Sequence, residues 1–421
     1  MTTFEHFTFS DRLFRQNDNI LENIMKPRKS PNIAIIGTGS TKFGELFDHS
    51  YDDLVREAVS LAVADAKIQM DEIEAAWLST AFPEIGVFKG RSGMDLSEPL
   101  SLYNIPVTRV SNFCASGGDA IRNAANSLLA GECDVAMAVG VEKLRDRSPQ
   151  DSIVKMMVEY THPYIQKGFT AAGTFAVYAN KHFEKYGVTR EDLAQISVKN
   201  HHNGVANPKA HHRRDFTVDQ VLGSPMVAEP LTVMDCCPTT DGAACVIMVR
   251  GDDVDKATHD PAYIKGLGLN IATGWDLPFF DPNYEFLSFQ ATKNAAQSAY
   301  QQAGVTDPLK EIDLAEVHDC FSIVELLTYE DLGFCKAGEA KDMVRGGSTS
   351  VEGEIPVNVS GGLLSCGHPV GATGVRMVTE IADQVRNRSG ERQIEGAKLG
   401  LAHNIGGPGA ISSVMLIGNE G

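Results

Sequence analysis

Three short segments carry side chains suited to nucleophilic and acid–base chemistry. The first is Val110-Ser-Asn-Phe-Cys114-Ala-Ser-Gly-Gly-Asp-Ala-Ile121. Cys114 follows a β-leaning run and opens a stretch that continues as a helix through Ala124, Ala125, Leu128 and Leu129. A thiol at a helix N-terminus meets the free amides of the first turn and the positive end of the helix dipole, which favour the reactive thiolate. Such settings lower a cysteine pKa from about 8.5 to roughly 3.5–7.5, and the same is expected of Cys114. The small residues Ala115, Ser116, Gly117 and Gly118 are expected to leave room for a substrate backbone or acyl group. The competing interpretation of Cys114 is a buried structural thiol.

The second segment, Asn358-Val-Ser-Gly-Gly-Leu-Leu-Ser-Cys-Gly-His368-Pro-Val-Gly-Ala-Thr-Gly374, sets five glycines and a proline around one histidine. It reads as a tightly turned loop presenting His368, followed by a helix over 374–387. An imidazole so held can take a proton from a thiol and then hydrogen-bond an oxyanion. The third segment is Glu316-Val-His318-Asp-Cys320-Phe-Ser-Ile-Val-Glu325. A strand ends at His318 and a helix begins near Ser322. Two reactive side chains therefore sit at a strand's C-terminal end, where α/β proteins collect catalytic groups. The bland alternative is a helix-capping Asp319 beside a buried cysteine.

These segments need a scaffold, and its rhythm is legible. Asn32–Gly37 is a buried strand with a Gly-rich exit, GTGSTKFGE. A dinucleotide site there fails for want of the third glycine opening a helix. A helix follows over 51–68, with Val55, Ala58, Val59, Ala62 and Ala66 at helical spacing. Strands are expected at Ala75–Ser79 and Asp134–Gly140, and β character over Leu231–Arg250. Residues 145–230 lose the strand rhythm and read as an inserted cap. The pattern then restarts: a strand at Tyr263–Leu269, a helix over 291–304, a strand at Leu314–Val317, and two final strands within 398–418. Asp71–Trp77 echoes Glu311–Val317, and Thr240–Met248 echoes Gly407–Met415. Alternating strands and helices with this echo predict an α/β fold of two duplicated halves. The expected organisation is an arm at 1–30, a first half at 31–262 with the cap at 145–230, and a second half at 263–421.

At 421 residues the chain has room for both halves, and no apolar run approaches the roughly 20 residues of a membrane span. Its formal charge of −18 argues against a nucleic-acid partner. The eight cysteines show no CxxC spacing and read as reduced thiols. The first 30 residues lack a secretory pattern and the C-terminus, IGNEG, lacks a peroxisomal one, so a cytoplasmic protein is expected. The pairs His201-His202 and His211-His212 lack companions at ligand spacing, so no metal site is expected.

Together, VSNFCASG, HDCFSIVELLTYEDLGFC and SGGLLSCGHPVGATG resemble the nucleophile, HDCF and GHP motifs of the thiolase superfamily, most closely its sterol-carrier-protein type. LTVMDCCPTTDGAA and AHNIGGPGA also match in kind, so the resemblance spans about 31–418. It implies a thiolase fold layered α-β-α-β-α and a Cys114 acyl-enzyme. His368 would activate Cys114, His318 would hold the thioester oxygen of the enolate, and Cys320 would be the second acid/base. The oxyanion holes would use the amides of Cys114 and Gly406 with His318 and His368. One departure matters: where many thiolases have a catalytic cysteine in C-x-G, this chain reads Asn404-Ile-Gly406, and in the sterol-carrier type the HDCF cysteine does that work.

By the same resemblance Cys237 would meet the pantetheine arm, and Asn404 is a further substrate contact. Arg213 and Arg214 in the cap suit the CoA phosphates, with a solvated charged loop as the alternative. The implied reaction is thiolytic cleavage of a β-ketoacyl-CoA, or its reverse, with coenzyme A as substrate and no resident cofactor. A bulky substrate, including an aromatic one such as 2-benzoylsuccinyl-CoA with its two-subunit thiolase, fits the resemblance. A homodimer is expected, and a small zinc-ribbon/OB-fold acyl-CoA-binding subunit is a candidate partner for the arm. The rivals are a retro-aldol lyase or non-CoA acyltransferase on the same fold, and a non-catalytic acyl-CoA-binding scaffold.

Overall fold

The computed structural model describes residues 29–84, 86–148, 162–163, 170–255 and 259–421. Most of the expected arm, and 149–161 and 164–169 of the expected cap, lie outside the described residues. The first half-sheet contains β1 (Ile33–Ser40), β2 (Ala75–Ser79), β3 (Val107–Val110), β4 (Val135–Glu142) and β7 (Gly242–Arg250). Between β4 and β7 lies a small hairpin, β5 (Met226–Ala228) with β6 (Leu231–Thr232). The second half-sheet contains β8 (Ala262–Ile271), β9 (Leu314–Glu316), β10 (Leu399–Gly406) and β11 (Ile411–Gly418). The helices used below are α1 (Tyr51–Ala66), α2 (Ser116–Ala130), α3 (Ala171–Tyr186), α4 (Arg190–Val205), α5 (Gln290–Ala303), α6 (Ser322–Asp331), α7 (Gly362–Cys366) and α8 (Val370–Val385).

The strand order is β3-β2-β4-β7-β1-β8-β11-β10-β9. β1 and β8 join the two half-sheets through three pairs, Ile33–Ile264, Ala34–Tyr263 and Ile35–Ala262. Outward from that seam the halves repeat one pattern: β7 and β11 run antiparallel to β1 and β8, then come β4 and β10, then β2 and β9 in parallel with them. An isolated parallel bridge, Ala315–Val357, stands where β3 stands in the first half. The sequence echoes therefore fall on matching strands, β2 with β9 and β7 with β11.

α1 covers β1, β4 and β7, and α5 covers β8 and β11. α2 and α8 pack on each other and touch strands of both half-sheets, giving helix–sheet–helix–sheet–helix layering. Covered on both faces, strands such as β7 are apolar throughout rather than alternating. α1 ends at Ala66, two residues short of the expected 68, and its cap Lys67 takes the left-handed region, φ 55°.

Several glycines expected to sit in open loops are packing contacts instead. α8 begins at Val370, not 374, so Gly371 and Gly374 lie within it. A Cβ on Gly117 would stand 2.7 Å from the Val375 amide nitrogen, and one on Gly118 2.3 Å from Ser413 Oγ. Gly117 and Gly118 thus let α2 approach α8 and β11; the room is filled by protein, not left for an acyl group. No helix among the described residues is long and apolar enough to cross a membrane.

Candidate active site

Cys114 sits in the turn from β3 to α2, just before the N-cap Ala115. Phe113 takes φ 50°, a left-handed conformation costly for an aromatic residue. The turn is closed by Ala115 N–H to the Asn112 carbonyl (3.1 Å) and by Ser116 Oγ accepting from Asn112 N–H (2.7 Å). His368 occupies the matching turn of the second half, just before α8. The span Cys236–Thr240 laces the segments together. It bridges Cys236 to Phe321 and Thr239 to His368, and the Cys237 amide donates to the Cys320 carbonyl (3.0 Å).

The predicted set converges. Cys114 Sγ and one ring nitrogen each of His318 and His368 lie within 4.8 Å of one another, and Cys320 shares their cavity. The two imidazoles stand edge to face, centroids 5.0 Å apart. Thr373 Oγ1 donates to the Pro369 carbonyl (3.1 Å) and so accepts from His368 Nδ1–H (2.7 Å). That assigns the proton to Nδ1 and leaves His368 Nε2, which has no partner among the described residues, as a bare lone pair in the site. His318 has the opposite arrangement. Asn404 Nδ2 donates to its Nδ1 (2.9 Å), so Nε2 carries the proton. One imidazole presents a lone pair to the site and the other an N–H.

Burial sets the charges. Loss of water pushes the Cys114 thiol up to about 12, helped by the Glu142 carboxylate and opposed by the Gly407 amide. The expectation of a lowered Cys114 pKa is therefore wrong: desolvation outweighs the helix terminus, and the resting group is a thiol. Burial lowers His368 to about 3 and holds His318 well below the ordinary range, with further opposition from His368, His403 and Arg376. Both are neutral at physiological pH. Cys320 is raised far above an ordinary thiol, by burial and by Cys237 and Cys114.

Other expectations shift by a residue or change role. The amide against Cys114 Sγ is that of Gly407, the residue after the expected oxyanion donor Gly406. Gly406 is still paired with Ile411 in the strand ladder, packed 2.6 Å (as a Cβ) from the Asn112 carbonyl, whereas Gly407 turns out at φ 61°. Asp319 caps a helix, but that of the GHP segment: its carboxylate accepts from the Leu363 (2.5 Å) and Leu364 (3.2 Å) amides of α7. It thereby ties the His318 segment to the His368 segment. Asn404 is buried and reaches the site through His318, not through the cavity wall. Cys237 lines the cavity. Arg213 and Arg214 do not: Arg213 donates to the Val205 carbonyl (2.8 and 3.2 Å), and Arg214 lies over Phe216 (5.3 Å). Both are exposed on the loop after α4.

The cavity holds about 260 Å³ and is strongly apolar. Phe82, Phe113, Phe175, Trp275 and Phe321 supply aromatic walls, and no lysine or arginine lines it among the described residues. Trp275 packs against Phe113 with the rings tilted by 47° and their centroids 4.7 Å apart. Sequence reasoning missed these residues, along with Thr373, His403 and Glu142. Glu142 is wholly buried, accepts from the Ala81, Phe82 and Gly371 amides (2.8–3.1 Å), and is raised to about 7 by desolvation. The signal for Trp275 was present, since the chain has only two tryptophans.

Comparison with known proteins agrees with this geometry. The thiolase N-terminal domain pattern matches residues 33–252, and the "thiolase C-terminal domain-like" pattern matches 282–419. The acetyl-CoA acetyltransferase of Methanothermobacter thermautotrophicus is 39% identical over 91% of this chain and 99% of its own. Sterol carrier protein 2 of Homo sapiens is 34% identical over 92% of this chain and 72% of its own. Among solved structures, the Ltp2-ChsH2(DUF35) aldolase aligns with TM-score 0.77 and 24% identity, covering 92% of this chain and 98% of that one. Human mitochondrial 3-ketoacyl-CoA thiolase in complex with CoA aligns with TM-score 0.70 and 19% identity, covering 94% and 100%. With both of its domain patterns matched and a relative of 39% identity spanning nearly its whole length, the chain belongs to the thiolase family of acyltransferases.

Proposed function

We propose that the protein cleaves a β-ketoacyl-CoA with coenzyme A, or runs the reverse condensation, through an acyl group on Cys114. The observation that carries this is the opposed tautomers of His368 and His318 beside one thiol. Cys114 passes its proton to His368 Nε2 as Sγ attacks the β-carbonyl, and the Cα–Cβ bond breaks. The electrons move into the thioester, whose oxygen is held by His318 Nε2–H, and Cys320 delivers a proton to the α-carbon. CoA then gives its thiol proton to the Cys320 thiolate and attacks the acyl-enzyme, and Cys114 recovers its proton from His368. The Cys114 and Gly407 amides bracket the acyl oxyanion. Donors fixed in an apolar cavity are worth more than in water, so charge developing there is strongly stabilised.

The aromatic walls support a bulky, uncharged acyl group over acetyl. A retro-aldol lyase needs no acyl-enzyme, and retention of both Cys114 and Cys320 favours thiolysis over it. A homodimer, a small acyl-CoA-binding partner subunit, a cytoplasmic setting and a first-half boundary near residue 262 remain part of this proposal. Feeding β-ketoacyl-CoA donors with and without CoA tests the reading. Two acyl-CoA products formed only with CoA are expected. A carbonyl compound released from a β-hydroxyacyl-CoA without CoA consumption would replace it with the lyase.

A further inference from the structure

Consecutive residues of β10 hold His318 from both sides. His403 Nε2 donates to Thr292 Oγ1 (3.0 Å), which itself donates to Ser412 Oγ (3.2 Å), so His403 Nδ1 is free to accept from the His318 backbone amide (3.5 Å). Asn404 holds the His318 side chain at Nδ1 (2.9 Å). Asn404 Oδ1 is buried and makes no hydrogen bond among the described residues. It lies on the side of Gly374 and the first turn of α2: a Cβ on Gly374 would stand 2.5 Å from Asn404 Oδ1 and 2.7 Å from the Gly118 nitrogen. First-turn amides have no acceptor within their own helix, so an oxygen suits that side better than an NH₂. The NH₂ end is then left for His318.

We propose that Asn404 is a positioning residue that locks His318 in the Nε2–H tautomer, and that this is what the asparagine contributes at the position where many relatives carry a thiol. Ring tautomers are set by the partner of the distal nitrogen. With a donor at Nδ1, His318 can only offer a proton to the substrate oxygen. An acceptor in that place would put the proton on Nδ1 and turn a lone pair toward the developing negative charge. The inference rests on the thiolase reading for its catalytic consequence, but not for the tautomer itself.

The test is Asn404→Asp, with Asn404→Leu beside it as a shape-matched variant lacking the hydrogen bond. The groups that face His318 are His368 ahead of α8, Arg376 on α8, His403 on β10, Cys114 ahead of α2, and its chain neighbours Asp319 and Cys320. None of these is changed. Deuterium uptake at the α-carbon of a saturated acyl-CoA reports enolate stabilisation, and ¹⁵N-histidine spectra of the full-length protein report the tautomer directly. The wild type is expected to show protonated Nε2 at His318, and exchange in each variant is read as a ratio to the wild type at the same pH, which cancels the shared rise as the Cys320 thiol ionises.

In Asn404→Asp the carboxylate accepts from Nδ1–H. Exchange is then retained on the acid side, where the ring carries both protons, and falls roughly a hundredfold on the alkaline side, the cost of one lost oxyanion donor. Asn404→Leu loses exchange at every pH. An Asn404→Asp rate equal to the wild type's at every pH, or a wild-type His318 protonated at Nδ1, overturns the proposal. If the wild type neither exchanges nor acylates, the thiolase reading fails, while the ¹⁵N spectra still decide the tautomer.

Discussion

The turn carrying Cys114 and the turn carrying His368 hold the same place in the two halves. Each leaves the sheet edge and enters a central helix, α2 or α8, and those helices pack on each other. Their construction differs. The Cys114 turn is short and strained at one aromatic residue, Phe113 at φ 50°. The His368 turn is long, relies on Gly361, Gly362 and Gly367 at positive φ, and is tied from outside by Asp319. The buried acid Glu142 sits between the turns, bonding the amides of Ala81 and Phe82 and that of Gly371 in α8 while raising Cys114. The two halves offer equivalent helix entrances, and in the proposed mechanism one carries the nucleophile and the other its base. Under that proposal a thiol pushed up to about 12 can still react, because the base is delivered from the opposite half.

The comparison breaks first at the nucleophile. Cys114→Ala is expected to lower turnover by about 10⁴-fold or more, as loss of a nucleophile does, with folding judged by an unchanged melting curve. His368→Ala should slow acylation by about 10²–10⁴-fold in single-turnover mass measurements, the usual worth of a general base. The base also has a pH signature. His368 is lowered to about 3, so its active neutral form persists above that value and its protonation removes activity only below it. In Glu142→Gln, which lacks the carboxylate raised to about 7 beside Cys114, the acylation rate is therefore expected to show no inflection between pH 5 and 8, and a limb near 6.5 in that variant would mean that the imidazole is not the desolvated base described here. The packing of the two helices is tested by Gly117→Ala, expected to cost about 1–3 kcal/mol in a denaturation series through crowding at Val375. Smallest, Glu142→Gln should raise the alkylation rate of Cys114 several-fold at pH 8. It removes a charge that opposes the thiolate, within the tenfold that one pKa unit allows.

Much of this was readable in the chain. The apolar runs placed most strands, and the three motifs placed Cys114, His318, Cys320 and His368 because reactive residues stood at element ends. Glycine misled. A sequence shows that a Cβ is absent, but not whether ligand or protein fills the space; at Gly117 and Gly118 it is α8 and β11. Helix-end electrostatics misled at Cys114 because desolvation depends on Phe82, Phe113 and Trp275 closing over it, and these come from separate parts of the chain. Which helix Asp319 caps was not legible, because the amides it accepts from lie 44 and 45 residues away. Asn404 marked a departure from pattern, yet its use was legible only once His318 lay 2.9 Å away.

The central claim is that Cys114 carries the acyl group. Intact-mass measurement of the wild type and Cys114→Ala after incubation with a panel of β-ketoacyl-CoAs tests it most directly. One acyl mass per chain on the wild type, located to Cys114 and discharged by CoA, with none on the variant, is the predicted result. Turnover of a donor with no acyl mass at any time, or equal labelling of the variant, would contradict it.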